Sequence, residues 1–235
     1  RSPGREHRVA HRGEPGGHQP QHRDEHHGVA HPHEDPRHHR AGERQFVSLR
    51  DRIPEDARGF TDVWRTFSTP TGIIFQADQA IYRWANNSMQ VLRPASRFNR
   101  ASLLDGHVYL TIPETGLNVL EGDTFRPLPG TAALGREVYP VILRYDDRRL
   151  LVATRRDGIF LHDGTTLTPF PTAIDAFLRT ANVYRGITLP DGSIALSTTT
   201  GGVAIMDRQG RSLAVIDRTQ GLRSNAVYHL MVDRE

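Results

Sequence analysis

The sequence predicts an all-β fold made of repeated four-stranded units, and three observations support this prediction. Short runs rich in Val, Ile, Leu and Thr alternate with turn residues from position 45 to the end of the 235-residue chain. Asp-Gly and similar dipeptides separate many of these runs, and they favour hairpin turns because they adopt positive φ readily. A glycine also recurs at intervals of 44, 42 and 44 residues. A regular period of this length indicates a repeat array.

The recurring glycines share one position in four similar segments. In each segment a strand, a short polar turn, the glycine and another strand follow one another, and the glycines are Gly72, Gly116, Gly158 and Gly202. We expect their role to be structural. The chain needs positive φ or a close approach where it passes between the second and third strands of a unit, and glycine allows both.

Each unit can be divided into four predicted strands. In the clearest copy the strands are 183–189, 193–198, 202–207 and 211–216. The two preceding copies contain 98–103, 107–112, 116–120 and 124–128, and then 138–145, 149–154, 158–161 and 166–170. The first copy contains 62–67, 72–76 and 80–84, and the segment 46–50 either supplies its opening strand or ends a preceding unit.

Four short antiparallel strands in about 44 residues are typical of a β-propeller blade. An ordinary β-sandwich is the alternative, but a sandwich has no reason to place glycine at one phase four times. We therefore predict an incomplete β-propeller at 45–235, with blades at about 45–95, 96–135, 136–180 and 181–220 and the start of a fifth at 221–235. Because the period would place the next turn glycine at about position 236, we expect the chain to be a fragment.

Residues 1–44 differ in composition from the rest of the chain. They contain ten of the thirteen histidines and no Leu, Ile, Phe, Tyr, Trp or Met. A segment with so little to bury cannot recover its ordering entropy, so we expect it to be disordered. Its closely spaced imidazoles suggest a weak metal-binding tract at His26, His27, His38 and His39. The alternatives are a linker or translated DNA from outside the gene.

Composition and motifs narrow the classes of function. The chain has no cysteine, its thirty basic residues are all arginine, and its net charge is only +3. Arginine without lysine suggests a GC-rich bacterial source, and the mixing of arginines with acids disfavours nucleic-acid binding. No run approaches 18 apolar residues, so no membrane span is predicted. Neither a catalytic motif nor a lysine-containing phosphate loop is present, so we expect no cofactor and no metal site in the propeller.

Histidines and aromatic residues outside the first 44 positions have structural interpretations. His107, His162 and His229 fall in three different units, so we expect each to be structural. We also expect the recurring aromatic residues to pack between blades, and they are Trp64, Trp84, Tyr109, Tyr139, Tyr184 and Tyr228. Asp163-Gly164 and Asp191-Gly192 are expected to be turns.

The last residues carry the most specific motif in the chain. The segment 221–233 contains Gly-Leu-x-x-Asn-x-Val followed by an apolar run, and Thr154-Arg155-Arg156-Asp157-Gly158 forms a Thr-x-x-x-Gly strand end. Together these motifs resemble the two-component regulator propeller repeat, over about residues 45–235. Two other copies keep Val-Tyr but lose Gly-Leu, at Val138-Tyr139 and Val183-Tyr184, and the copy at 96–135 has Arg97-Phe98 there.

The resemblance implies a bacterial, periplasmic, ligand-sensing region of an inner-membrane protein. In that family a membrane helix and an output domain, either a histidine kinase or a diguanylate cyclase, follow the propeller. We therefore predict a non-catalytic extracytoplasmic sensor that binds an unknown small molecule or glycan and dimerises in the parent protein. The alternatives are a protein-interaction scaffold and a propeller lyase or glycosidase.

Loops that follow the second strand of each blade are the candidate ligand contacts, since loops vary on a fixed scaffold. The candidate residues are Glu114, Arg155, Arg156, Thr199 and Thr200. The paired arginines would suit an anionic ligand such as a carboxylate or a sulfated sugar, because guanidinium groups bind planar and tetrahedral oxyanions well. Solvated charges on a turn are the alternative interpretation.

Overall fold

A computed structural model describes residues 46–94 and 96–233, and within these ranges it contains four antiparallel four-stranded sheets. We name the sheets blades A to D. Blade A contains β1 (Val63–Thr69), β2 (Gly72–Ala77), β3 (Ile81–Ala85) and β4 (Ser88–Leu92). Blade B contains β5 (Ser102–Leu104), β6 (His107–Ile112), β7 (Gly116–Glu121) and β8 (Thr124–Pro127).

Blades C and D repeat this order. Blade C contains β9 (Val141–Arg144), β10 (Leu150–Ala153), β11 (Ile159–His162) and β12 (Leu167–Pro169). Blade D contains β13 (Val183–Thr188), β14 (Ile194–Thr198), β15 (Val203–Met206) and β16 (Ser212–Ile216). In every blade each strand pairs with the next one along the chain. The predicted all-β propeller of about four blades is therefore confirmed.

The remaining regular elements are short. Helix α1 (Asp175–Ala181) connects β12 to β13, and 3-10 turns occupy Arg50–Arg52, Glu55–Ala57, Ala132–Arg136 and Arg218–Gln220. Within the described residues, none of these helices has the length and apolarity needed to cross a lipid bilayer. The predicted tail and its possible metal ligands His26, His27, His38 and His39 lie outside the described residues.

Gly72 does not occupy the position in its blade that the sequence pattern predicts. Gly116, Gly158 and Gly202 each lie between the second and third strands of a blade, whereas Gly72 lies between β1 and β2, the first and second strands. All four have positive φ, between 82° and 129°. The hairpins of the described residues all share the pattern of an apolar strand, a polar turn and an apolar strand. The local sequence therefore does not indicate which two strands of a blade a given hairpin forms.

The same shift corrects the strand composition of blade A. Residues 46–49 have no regular structure and 50–52 form a 3-10 turn, so 46–50 is not the opening strand. The fourth strand is β4, which the sequence pattern missed. Asn86 and Asn87 join it to β3 with φ of 50° and 59°, the pair of positive values that a two-residue type I′ hairpin requires.

The hydrophobic core lies between successive blades. One cluster joins blades A and B around Ile74, Ile81 and Leu110. A second joins B and C, and a third joins C and D around Leu151 and Leu196. Burying each such side chain contributes about 1.5–3 kcal/mol. Because β5 contacts β9 and β9 contacts β13, the first strands of the blades lie together at the centre of the unit.

Candidate ligand-binding site

The first strands of the four blades line a central cavity. Its volume is about 370 Å³, within the range of pockets that hold small organic ligands. Residues of β1, β5, β9 and β13 contribute to it, together with the residues that immediately precede β5 and β9. A ligand in this cavity would therefore touch four repeats at once.

Three arginines line the cavity and no carboxylate does. Arg65 lies on β1, Arg185 lies on β13, and Arg100 lies two residues before the start of β5. None of the lining residues is Asp or Glu, and none of the three guanidinium groups forms an ion pair with a described carboxylate. Within the described residues, the cavity thus holds three positive charges without a neutralising partner.

Two matching β-bulges place Arg65 and Arg185. The pairing of β1 with β2 shifts between Val63 and Arg65, and that of β13 with β14 shifts between Val183 and Arg185. A bulge inserts one extra residue and re-aims the side chain that follows it. The extra residue is aromatic in both strands, so the sequence signal is Val-aromatic-Arg, at 63–65 and again at 183–185.

Arg100 is held between two tyrosine rings. Its guanidinium carbon lies 5.5 Å from the centre of the Tyr139 ring and 5.0 Å from that of Tyr184. These distances are within the range of a cation–π interaction. Its Nη1 also donates a hydrogen bond to the Tyr184 hydroxyl. Its Nε is buried and has no hydrogen-bond partner in the structure, so this donor is unsatisfied.

Arg65 has fewer contacts than Arg100. Its Nε is also buried without a partner, and its guanidinium makes no hydrogen bond to a described residue. Burial, reinforced by repulsion from Arg100 and Arg185, lowers the pKa of Arg65 from 12.5 to about 10. Arg65 is still charged at neutral pH, and an anion in the cavity would relieve the unfavourable field that surrounds it.

Arg185 contacts the segment that follows blade D. Its Nη1 lies 3.0 Å from Nδ1 of His229. Because a guanidinium only donates, Nδ1 accepts in this arrangement and carries no proton. The same segment is tied to blade D by backbone hydrogen bonds from Val227 N to Thr198 O (2.9 Å) and from Gly202 N to Asn225 O (2.8 Å).

The tyrosines of the recurring Val-Tyr pattern contact one another. The ring centres of Tyr139 and Tyr184 lie 6.0 Å apart, and those of Tyr184 and Tyr228 lie 5.3 Å apart. The recurring Val-Tyr pattern thus forms a row of rings across blades. Of the aromatic residues expected to pack between blades, however, Tyr228 is 60% exposed and Trp64 is 55% exposed. Because Tyr139 and Tyr184 also line the cavity, two members of this row form part of the wall that surrounds Arg100.

The loop arginines predicted from the sequence lie outside the cavity lining. Arg155 Nη2 donates to the side-chain oxygen of Asn182 at 3.2 Å, and its backbone N–H donates to the Glu137 carboxylate at 3.2 Å. Arg156 is exposed. Arg155 therefore connects blade C to the residue that precedes blade D, and ligand binding by this pair stays a prediction.

The other predicted loop residues are dispersed. Thr199 N–H donates to the backbone oxygen of Asn182, and the Thr200 hydroxyl donates to Ala181 O at 3.1 Å. Glu114 is exposed and accepts a hydrogen bond of 2.5 Å from the Ser96 hydroxyl, which lowers the pKa of Glu114. Thr199 and Arg155 thus share Asn182, whereas Glu114 contacts a different part of the chain.

The histidines beyond the tail serve separate contacts. His162 is buried, and its Nε2 lies 2.9 Å from Pro129 O, whereas His107 is exposed at the start of β6. In the part of the chain that the structure describes, no group of three His, Asp or Glu side chains is arranged to hold a metal ion.

Comparison with known proteins identifies solved structures that have a similar fold. No family model matches the sequence, and no curated protein matches it. The extracellular domain of BT4673 from B. thetaiotaomicron, assigned to a one component system, has a TM-score of 0.53 and 14% identity over 72% of this chain and 23% of its own length. The extracellular domain of BT3049 from the same organism, assigned to a hybrid two component system, has a TM-score of 0.58 and 12% identity over 74% of this chain and 25% of its own.

A third solved structure, a protein of unknown function from Bacteroides caccae, has a TM-score of 0.50 and 12% identity over 69% of this chain and 62% of its own. The chain therefore spans about a quarter of the length of the two extracellular domains. At these identities the likeness establishes the fold. The four blades share the architecture of extracellular domains from one-component and two-component systems, in agreement with the resemblance that the repeat motif indicates.

Proposed function

We propose that this chain is a ligand-binding part of an extracytoplasmic sensor propeller and that it signals to an output domain outside the chain. The central cavity carries the proposal, because the inner strands of four successive blades bring arginine and tyrosine side chains to one concave space. Similarity to extracellular domains of two-component systems supports the sensory role and an extracytoplasmic location.

A non-catalytic role fits the chemistry of this cavity. Glycoside hydrolysis requires two carboxyl groups that flank the scissile bond, one acid and one base or nucleophile. The described lining residues include neither carboxylates nor imidazoles. What they offer is charge, aromatic surface and hydrogen-bond donors, which recognise a ligand without transforming it.

A conformational mechanism follows from the position of the cavity. A ligand that touches several inner strands has a higher affinity for one arrangement of the blades than for others, and this difference shifts their population. The transmitted change would be in how the propeller packs or dimerises within the parent protein. Kinase or cyclase output would respond to that change.

Two matched variants test whether the cavity is the binding site. Leu103 on β5 lines the cavity and is 38% exposed, whereas Leu213 on β16 is 56% exposed and lies outside the lining. Saturation-transfer NMR on the full chain would screen neutral and acidic mono- and disaccharides, amino acids and dicarboxylic acids. Leu103→Trp should abolish binding of any hit by filling the space, and Leu213→Trp should leave it intact.

Two results would contradict the proposal. One is the absence of any binding compound in the screen, and the other is a hit whose affinity is the same in Leu103→Trp and in the wild type. Signalling is tested in the full gene product, where Leu103→Trp should remove the ligand-dependent change in kinase or cyclase output and Leu213→Trp should retain it.

A further inference from the structure

The central cavity has a charge and hydrogen-bonding pattern that selects a class of ligand. Arg65, Arg100 and Arg185 approach it from three blades, and no lining residue carries a negative charge. All three arginines are half-buried, and a half-buried charge without a partner is unfavourable, because desolvation of a lone ion is costly. Three neighbouring cations without a partner therefore indicate that a group of opposite charge belongs between them.

Unsatisfied donors point to the same group. In the described structure, the Nε atoms of Arg65 and Arg100 are both buried and lack a hydrogen-bond acceptor. Buried polar atoms are nearly always hydrogen-bonded, so each such exception calls for a missing partner. Oxygen atoms of an oxyanion are acceptors only and match the planar, multi-donor guanidinium group.

Arg100 is prepared for such a contact before the ligand arrives. The guanidinium group contacts the rings of Tyr139 and Tyr184, and its Nη1 donates a hydrogen bond to the Tyr184 hydroxyl. This leaves Nε free of a protein partner. A side chain that is already ordered loses less entropy on binding, which favours a tight contact.

We propose that the ligand of the central cavity carries an oxyanion group, a carboxylate, sulfate or phosphate, which is bound by Arg65 and Arg100 and attracted by Arg185. This rests on the proposed function, since it names the ligand class of the same cavity. The Val-aromatic-Arg bulges of β1 and β13 are then specificity elements, because they aim two of the three arginines at the anion.

Equilibrium dialysis of the full chain against radiolabelled inorganic sulfate tests this directly. We expect saturable binding of one sulfate per chain. Arg65→Gln should weaken it by about tenfold or more, since the loss of one charge-assisted hydrogen bond costs at least that factor in affinity. This variant removes a guanidinium that makes no hydrogen bond to a described residue, so its fold should persist, as circular dichroism will verify.

Arg126→Gln is the matched control. Arg126 is exposed and pairs with Glu121 away from the cavity, and its loss changes the net charge by the same amount. Sulfate affinity should stay within twofold of the wild type in this variant. Equal weakening by both substitutions would show general electrostatic attraction and would overturn the proposal, as would the absence of saturable binding.

Competition distinguishes the kinds of oxyanion. Displacement of the label by unlabelled phosphate but not by acetate indicates a tetrahedral group, whereas displacement by acetate at similar concentration indicates a carboxylate, and both results support the proposal. If sulfate fails to bind while a neutral sugar binds and loses affinity in Leu103→Trp, the oxyanion assignment falls and the proposed function stands. If no compound depends on Leu103, both fall.

Discussion

Gly202 illustrates how the backbone alone can require a particular residue. Its φ is +89°, and a Cβ added there would lie 2.1 Å from the backbone oxygen of Ile216. Gly116 is similar, with φ of +82° and a Cβ that would lie 1.9 Å from Thr131 O. Both glycines therefore combine a left-handed backbone with a close approach of the chain that leaves no room for a side chain.

Gly202→Ala is predicted to destabilise the protein by about 3 kcal/mol or more, because strain at positive φ and overpacking add together. Gly122→Ala is the control. Its φ is +57° and no atom lies within 4 Å of its added Cβ, so only the strain of a left-handed alanine, about 1–2 kcal/mol, is expected. Urea unfolding of both variants measures the difference, and equal losses would contradict the clash.

His162 is a second residue whose role depends on its contacts. Its Nε2 is 2.9 Å from Pro129 O, and its Nδ1 accepts a hydrogen bond of 3.3 Å from Gly164 N–H. Because Pro129 O can only accept, Nε2 carries the ring proton. The neutral imidazole thus satisfies one acceptor that follows blade B and one donor in the β11–β12 turn.

His162→Leu should lower the free energy of unfolding by about 1–3 kcal/mol, since it removes both hydrogen bonds of the buried imidazole, each of which contributes about 0.5–1.5 kcal/mol. His107→Leu changes the same residue type at an exposed position and should alter stability by no more than about 0.5 kcal/mol. Thermal unfolding compares the two. A small effect at His162 would show that water replaces the imidazole.

Among the individual elements, two of the turns between strands are stabilised by aspartate side chains. In the β11–β12 turn, Asp163 accepts hydrogen bonds from the backbone N–H groups of Thr165 (3.0 Å) and Thr166 (2.8 Å). In the β9–β10 turn, Asp146 accepts from Arg148 N–H, Arg149 N–H and the Arg149 guanidinium. These bonds favour the carboxylate and lower the pKa of both aspartates from 3.8 to about 2.

The lowered pKa of Asp163 predicts a pH dependence of stability. A carboxyl group whose folded-state pKa is depressed stabilises the fold above its unfolded-state pKa, and this contribution is lost as pH falls toward the folded-state value. Wild-type melting temperature should therefore fall between about pH 4 and pH 2. Asp163→Asn keeps an acceptor oxygen without titrating, so its melting temperature should fall less steeply. If the melting temperatures of the two proteins fall equally steeply with pH, the prediction is wrong.

The sequence predicts hairpins well. It predicts poorly which strands of a blade each hairpin contains. The strands of blade D lie within one residue of their predicted ends because Asp191-Gly192 and Gly210 mark its turns. Blade A differs from the prediction by one strand, because its last turn is formed by Asn86-Asn87 and contains no glycine. Strand order within a blade depends on pairing with neighbours, and those contacts are not encoded in any single hairpin.

Contacts between blades organise the whole molecule. Arg83 on β3 of blade A is buried, and its Nη1 lies 2.6 Å from a carboxylate oxygen of Asp123 in blade B. Its Nη2 donates to Gly122 O in the same turn. Gln76 makes a second link, donating to Asn99 O (3.1 Å) and accepting from Ala101 N–H (2.8 Å). Repeat arrays are held together by such nearest-neighbour interfaces.

Arg83→Met should loosen blade A selectively. We expect amide hydrogen exchange at Ile74 and Ile81 to accelerate about tenfold, because the interface that closes over them is weakened. Amides of Leu151 and Leu196 in blades C and D should keep their rates. Arg126→Met, which removes an exposed pair within blade B, should change neither group. Uniform acceleration would show that the blades unfold as one unit.

The amino-acid sequence by itself determined the fold class, the repeat and the hairpin turns, because these follow from local apolar patterns and from residues that tolerate positive φ. It also contained the Val-aromatic-Arg signal at 63–65 and 183–185. Only the tertiary structure decided that Arg65, Arg100 and Arg185 face one cavity and that Arg155 contacts Asn182 instead. These arginines are up to 120 positions apart in sequence. Their convergence depends on how the blades pack and where each bulge re-aims its strand, which are long-range properties of the folded chain.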